Sequence, residues 1–195
     1  MSSRSSKSFP AWMTRGPHLL GYEPGWLWVG LTLIVLMAGG YVISLGLDRG
    51  PQADPIDELI VKHAQDRDLS VALVRAVVEA ESGGDPVARS ETDARGLMQV
   101  MPLTHQDVRE RFGLPDGNLY DPDYNLLIGT HYLRYLLDRF DQDTTLALAA
   151  YHMGPTRLAR HRREDPGLGS AELVEKHAGS KTRAYVRRVL QMYQD

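Results

Sequence analysis

The sequence predicts a mainly α-helical domain of roughly 140 residues preceded by one membrane-spanning helix. Three observations carry this. An uncharged apolar run occupies 26–47, apolar residues after position 54 recur at spacings of three and four, and no alternating stretch of strand length appears. The chain then divides into a tail over 1–25, an anchor over 26–47, a linker over 48–54 and one helical domain over 55–195.

The run WLWVGLTLIVLMAGGYVISLGL, Trp26 to Leu47, has about the 20 residues that a bilayer-spanning helix needs at its rise per residue. Trp26 and Trp28 stand at its start, where amphipathic rings favour the lipid–water interface. Arg4, Lys7 and Arg15 precede it and Asp48, Asp54, Asp57 and Glu58 follow, so the positive-inside rule puts the C-terminal bulk outside the cytoplasm. A cleaved signal peptide is the rival reading, with Ala38-Gly39-Gly40 as the small residues near the cut. Either way the domain is exported.

Asp54 can cap and Pro55 can open a first helix, in which Ile56, Leu59, Ile60 and His63 share a face. A second begins at Ser70, its stripe of Leu73, Val74, Val77 and Val78 leading to Glu81. Thr104 to Phe112 reads as a third, stopped by Gly113. A fourth runs from Asp121-Pro122 to Phe140 with Leu126, Leu133, Leu136, Leu137 and Phe140 inside. Thr144 to Tyr151 and Thr182 to Tyr193 complete the set. The cluster Arg157, Arg160, Arg162 and Arg163 reads as a solvated face in a loop-rich region.

Composition excludes several functions. The net charge of −3 gives no basic field for nucleic acid. Zero cysteines exclude disulfides, thiolate metal sites, a thiol nucleophile and a lipidated cysteine.

Glu81 continues an apolar stripe at the point where Ser82-Gly83-Gly84-Asp85-Pro86 must end the helix. A carboxyl there opens onto a loop-lined cleft, and partial burial raises its pKa toward what a general acid needs. A solvated helix-end glutamate is the bland alternative, with Glu79 close by as a second candidate.

The blocks that follow add specificity: Glu81-Ser82, Ser90 nine residues on, GLMQVMP at 96–102, DPDYNLLIGTHYLRYLL, AAYHMGP at 149–155 and TRAYVRRVL at 182–190. In this order and spacing they resemble the SLT-type lytic transglycosylases, whose catalytic domain has the goose-type lysozyme-like helical fold. The resemblance covers nearly all of 54–195 and implies cleavage of the β-1,4 bond between N-acetylmuramic acid and N-acetylglucosamine in peptidoglycan. It implies a 1,6-anhydro product, one carboxyl as acid and then base at Glu81, no cofactor and no metal. It further implies that Tyr151 hydrogen-bonds the catalytic carboxyl, that Ser90 and Gln99 contact sugar or N-acetyl groups, and that Met98 walls the cleft; His152 and Tyr185 complete the substrate-binding candidates.

Two departures stand out. His152 follows the tyrosine where the family usually has Asn, and Asp93 precedes Ala94 where it usually has Gly. Histidine donates and accepts as Asn does only when neutral, which makes substrate contact there pH dependent. The expected partners are glycan strands of peptidoglycan and, through the N-terminal helix, the bacterial inner membrane, with the domain in the periplasm. The arginine cluster could touch stem-peptide carboxylates or anionic headgroups. No protein partner is named by the sequence. A hydrolytic muramidase and a non-catalytic peptidoglycan-binding module of an envelope assembly are the alternatives.

Overall fold

A computed structural model describes residues 54–194, and among them the chain is mainly helical. Eight helices follow one another: α1 Pro55–Gln65, α2 Val71–Ser82, α3 Pro102–Phe112, α4 Pro122–Arg139, α5 Thr144–Met153, α6 Pro155–Glu164, α7 Ser170–His177 and α8 Ser180–Gln194. None of these helices is long and apolar enough to cross a membrane. The run expected to do so, 26–47, lies outside the described residues with the tail and the linker to residue 53.

Local chemistry sets the helix ends. The side chains of Asp54, Ser70, Asp121 and Asp143 each accept a bond from an otherwise unpaired first-turn N–H. Gly83 and Gly113 end α2 and α3 in the left-handed conformation. Two helices depart from the periodicity reading. Segments 155–164 and 170–177 are helical, where loop was expected, because α6 buries one residue, Leu158, and α7 two, Leu173 and Val174. A face that narrow leaves no stripe in the sequence.

The core gathers round α5. Leu146, Ala147, Leu148, Ala149 and Ala150 are all buried, and α4, α6, α7 and α8 pack against them. A helix apolar all round belongs inside, and its alanines let four neighbours approach closely. On the other side α2 packs on α1 and α8, burying Val74, Val77 and Val189. Each such side chain contributes about 1.5–3 kcal/mol by leaving water.

Between α2 and α3 the chain makes its long excursion, 83–101. Arg95 and Val100 exchange backbone bonds of 3.1 and 3.0 Å, closing residues 96–99 into a tight turn. Asn125 of α4, fully buried, anchors that turn: its amide donates to Arg95 O at 2.8 Å and Leu119 O at 2.7 Å, and its oxygen accepts from Met98 N at 2.8 Å. Gly96 has φ +70°, and a Cβ there would come within 2.3 Å of Leu119 O and of the Asn125 amide, so the latch requires glycine.

Candidate active site

Glu81 sits in the last turn of α2, held between α8 and the 83–101 excursion. Ser82 fixes the junction, its hydroxyl donating to Leu97 O at 2.8 Å and accepting from Gly84 N at 3.2 Å. Two adjoining cavities share Glu81 and His152. One, of about 270 Å³, is lined also by Ser90, Gln99, Met101 and Tyr151. The other, of about 340 Å³, is lined by Lys181, Tyr185 and Arg188. Among the residues lining either cavity Glu81 is the only carboxylate.

The Glu81 pKa is pushed up to about 7, chiefly by desolvation. Tyr185 and then Arg188 pull the other way, and burial wins. Part of the residue still meets the cavities, but enough protein surrounds the carboxyl to disfavour its charge. The Tyr185 hydroxyl is buried and close enough to Glu81 to lower its pKa, yet it makes no well-formed hydrogen bond. Arg188 is tethered by donating to the carbonyl of Ala80, the residue before Glu81. A carboxyl near pKa 7 is half protonated at neutral pH and can both give and take a proton.

Tyr151 differs from expectation. Its hydroxyl donates to Met98 O at 2.7 Å and not to the Glu81 carboxyl, while burial and the nearby Glu81 charge push its pKa well up. Tyr132 packs on its ring, centroids 5.2 Å apart. Met98 is a second correction. Its side chain is 0% exposed and fills a notch at Gly129, where a Cβ would lie 2.3 Å from its sulfur. It lines neither cavity at Glu81, and its contribution is the carbonyl that Tyr151 grips. The turn at 96–99 points Leu97 and Met98 inward and brings Met101, 37% exposed, to the cavity instead.

Gln99 adopts φ +46°, its amide donating to Gly96 O and Ala88 O at 3.0 and 3.2 Å. Ser90 accepts from Ala94 N at 3.0 Å, and its hydroxyl lies 3.1 Å from that of Thr92. Asp93, at φ +68°, pairs with Arg95 and then Arg89, which lowers its pKa and explains how a non-glycine residue is held there. His152 meets the Thr182 hydroxyl at 3.0 Å through Nδ1, and its ring lies 4.9 Å from that of Tyr185. Desolvation and then Lys181 depress its pKa. Glu79 lines a separate hollow with Arg75 and Tyr193.

A family model, the Transglycosylase SLT domain, matches residues 58–174, more than half of the chain. The chain belongs to that family. It is 34% identical over 139 residues to the soluble lytic murein transglycosylase of Salmonella typhimurium, covering 69% of this chain and 22% of the relative. It is 30% identical over 155 residues to the membrane-bound lytic murein transglycosylase C of Edwardsiella ictaluri, covering 67% of this chain and 43% of that one. The X-ray structure of an inactive glutamate-to-glutamine mutant of lytic transglycosylase Slt from Pseudomonas aeruginosa superposes with a TM-score of 0.66 at 32% identity, covering 73% of this chain and 24% of that chain. The chain thus spans less than a quarter of the length of the soluble relatives.

Four features of this SLT domain lie beyond what motif reading reached: Met101, Lys181, Arg188 and the Asn125 latch. Met101 carried a signal, three residues beyond Met98 in the same block, but the choice between them depends on the turn. Lys181 and Arg188 bracket Tyr185 on α8 at the three-and-four spacing that places them on one face.

Proposed function

We propose that this chain is a peptidoglycan lytic transglycosylase with Glu81 as acid and base. The observation that carries the reading is a single carboxyl of pKa about 7 in cavities with no second carboxylate. Ordinary glycosidases use two, one to protonate the leaving oxygen and one to manage water or a covalent intermediate. A single group suffices when the nucleophile belongs to the substrate. Protonated Glu81 gives its proton to the glycosidic oxygen as the C1–O bond breaks. The carboxylate then takes the proton of the muramyl C6 hydroxyl while O6 bonds to C1, closing the 1,6-anhydro ring. Glu81 is again protonated and no water is consumed. The names of the relatives, and the inactivity of one with a single glutamate changed, support this reading.

Ser90, Gln99 and Met101 line one cavity at Glu81, Tyr185 lines the other and His152 lines both; we assign them to sugar contact. Tyr151, held by the Met98 carbonyl, lines the first of these. The segment 26–47 anchors the domain over 55–195 on the periplasmic face of the inner membrane, a reading supported by its length, its flanking charges and the membrane-bound relative.

Mass spectrometry of products released from purified peptidoglycan tests the proposal. Anhydro-muropeptides from the wild type and none from Glu81→Gln are expected. Reducing-end products would make the enzyme a muramidase, and no products from either would make the domain a wall-binding module.

A further inference from the structure

Far along the chain from Glu81, the ends of α6 and α7 bring two histidines together. The rings of His161 and His177 stack with centroids 4.4 Å apart and planes 19° from parallel. Glu164 stands one turn after His161 on the same face of α6, its Oε2 2.9 Å from His161 Nδ1. One ligand atom from each of His161, Glu164 and His177 lies within 4.8 Å of the other two. Asp165 accepts from His177 Nε2 at 2.6 Å, which orients that ring and leaves its other nitrogen with the lone pair.

Histidine–carboxylate pairing accounts for one nitrogen of each ring. It does not account for two largely buried imidazoles, 14% and 17% exposed, stacked face to face at the rim of two short helices. A cation bridging the rings and the carboxylate explains the convergence, since two nitrogens and one oxygen are a donor set for zinc and its neighbours. Tetrahedral zinc holds ligand atoms about 3.3 Å apart, given bonds of about 2.0–2.1 Å. Glu164 is half exposed at a helix end and shares its other oxygen only with Arg160 at 3.7 Å, so it is free to close that gap.

We propose that His161, Glu164 and His177 form a binding site for a divalent transition metal of the zinc type. Asp165 backs His177, and water fills the fourth position. None of these residues lines the Glu81 cavities, so the metal is structural. It clips α6 to α7 across the 165–169 connection, and both helices pack on α5, which carries Tyr151 and His152.

The test is titration of the untagged full chain, solubilised in detergent, with cobalt(II) chloride and, separately, zinc chloride. One equivalent of cobalt producing the visible bands of a four-coordinate ion, displaced by zinc, is expected. Zinc should also raise the melting temperature, and a chelator should reverse the rise. His161→Gln and His177→Gln should abolish both signals, and Asp165→Ala should weaken binding about 10–100-fold. Absence of four-coordinate bands in the wild type would overturn the site without reference to any variant. Undiminished binding by the two histidine variants would overturn it equally.

Discussion

The Tyr151 hydroxyl donates to the Met98 carbonyl at 2.7 Å, tying α5 to the turn that follows Gly96. Through this bond the helix at the centre of the core fixes the loop that borders Glu81. Tyr151→Phe leaves a carbonyl in a largely dry place without its partner, a cost of about 1–3 kcal/mol. A lower denaturant midpoint with an unchanged slope is expected, together with reduced kcat.

The latch under the same turn gives a sharper effect. Asn125→Leu strips partners from Met98 N, Arg95 O and Leu119 O at once. Gly96→Ala meets a backbone oxygen at 2.3 Å in a left-handed conformation. Each is expected to cost more than about 2 kcal/mol. Equilibrium urea unfolding measures this, and a loss under half a kcal/mol would show that the turn relaxes freely.

The raised pKa of Glu81 has two consequences. Its acid form starts the reaction, so kcat/KM is expected to fall above pH 7 along a single ionisation. Stability moves in the same direction. The folded pKa lies above the unfolded value near 4.5, so the folded state binds more protons, and stability present below pH 4.5 is lost as pH rises through about 7. Glu81→Gln removes that penalty. It is expected to match the wild type at pH 4 and to exceed it at pH 8 by at most about 3 kcal/mol. Denaturation curves at both values check the sign.

His152 supplies the other limb. Desolvation and Lys181 hold it neutral below the ordinary histidine range. Activity is therefore expected to fall only at distinctly acid pH, when the ring gains a proton and can no longer accept. His152→Asn should flatten that acid limb and leave the alkaline one in place. A profile unchanged by the substitution would remove His152 from substrate contact.

Much of this was legible in the sequence because it rests on local chemistry. Ser70 and Gly83 delimit α2, and Glu81 continues the stripe of Val74 and Val77, so its half-buried place at a helix end follows from spacing. What escaped depends on contacts distant in the chain. Met98 and Met101 share a motif, and only the Arg95–Val100 closure and the Gly129 notch decide which faces the cavity. Tyr151 pairs with a carbonyl that no side-chain pattern encodes. His161 and His177 are brought together by α6 and α7, whose buried faces carry too few apolar residues to read as helices.

Oxygen tracing decides whether one carboxyl and no water carry out the cleavage. Peptidoglycan digested by the full chain in water enriched in oxygen-18 should yield anhydro-muramyl ends with no label. One oxygen-18 atom in each new muramyl end would mean that water is the nucleophile, and the single-carboxyl mechanism at Glu81 would be wrong.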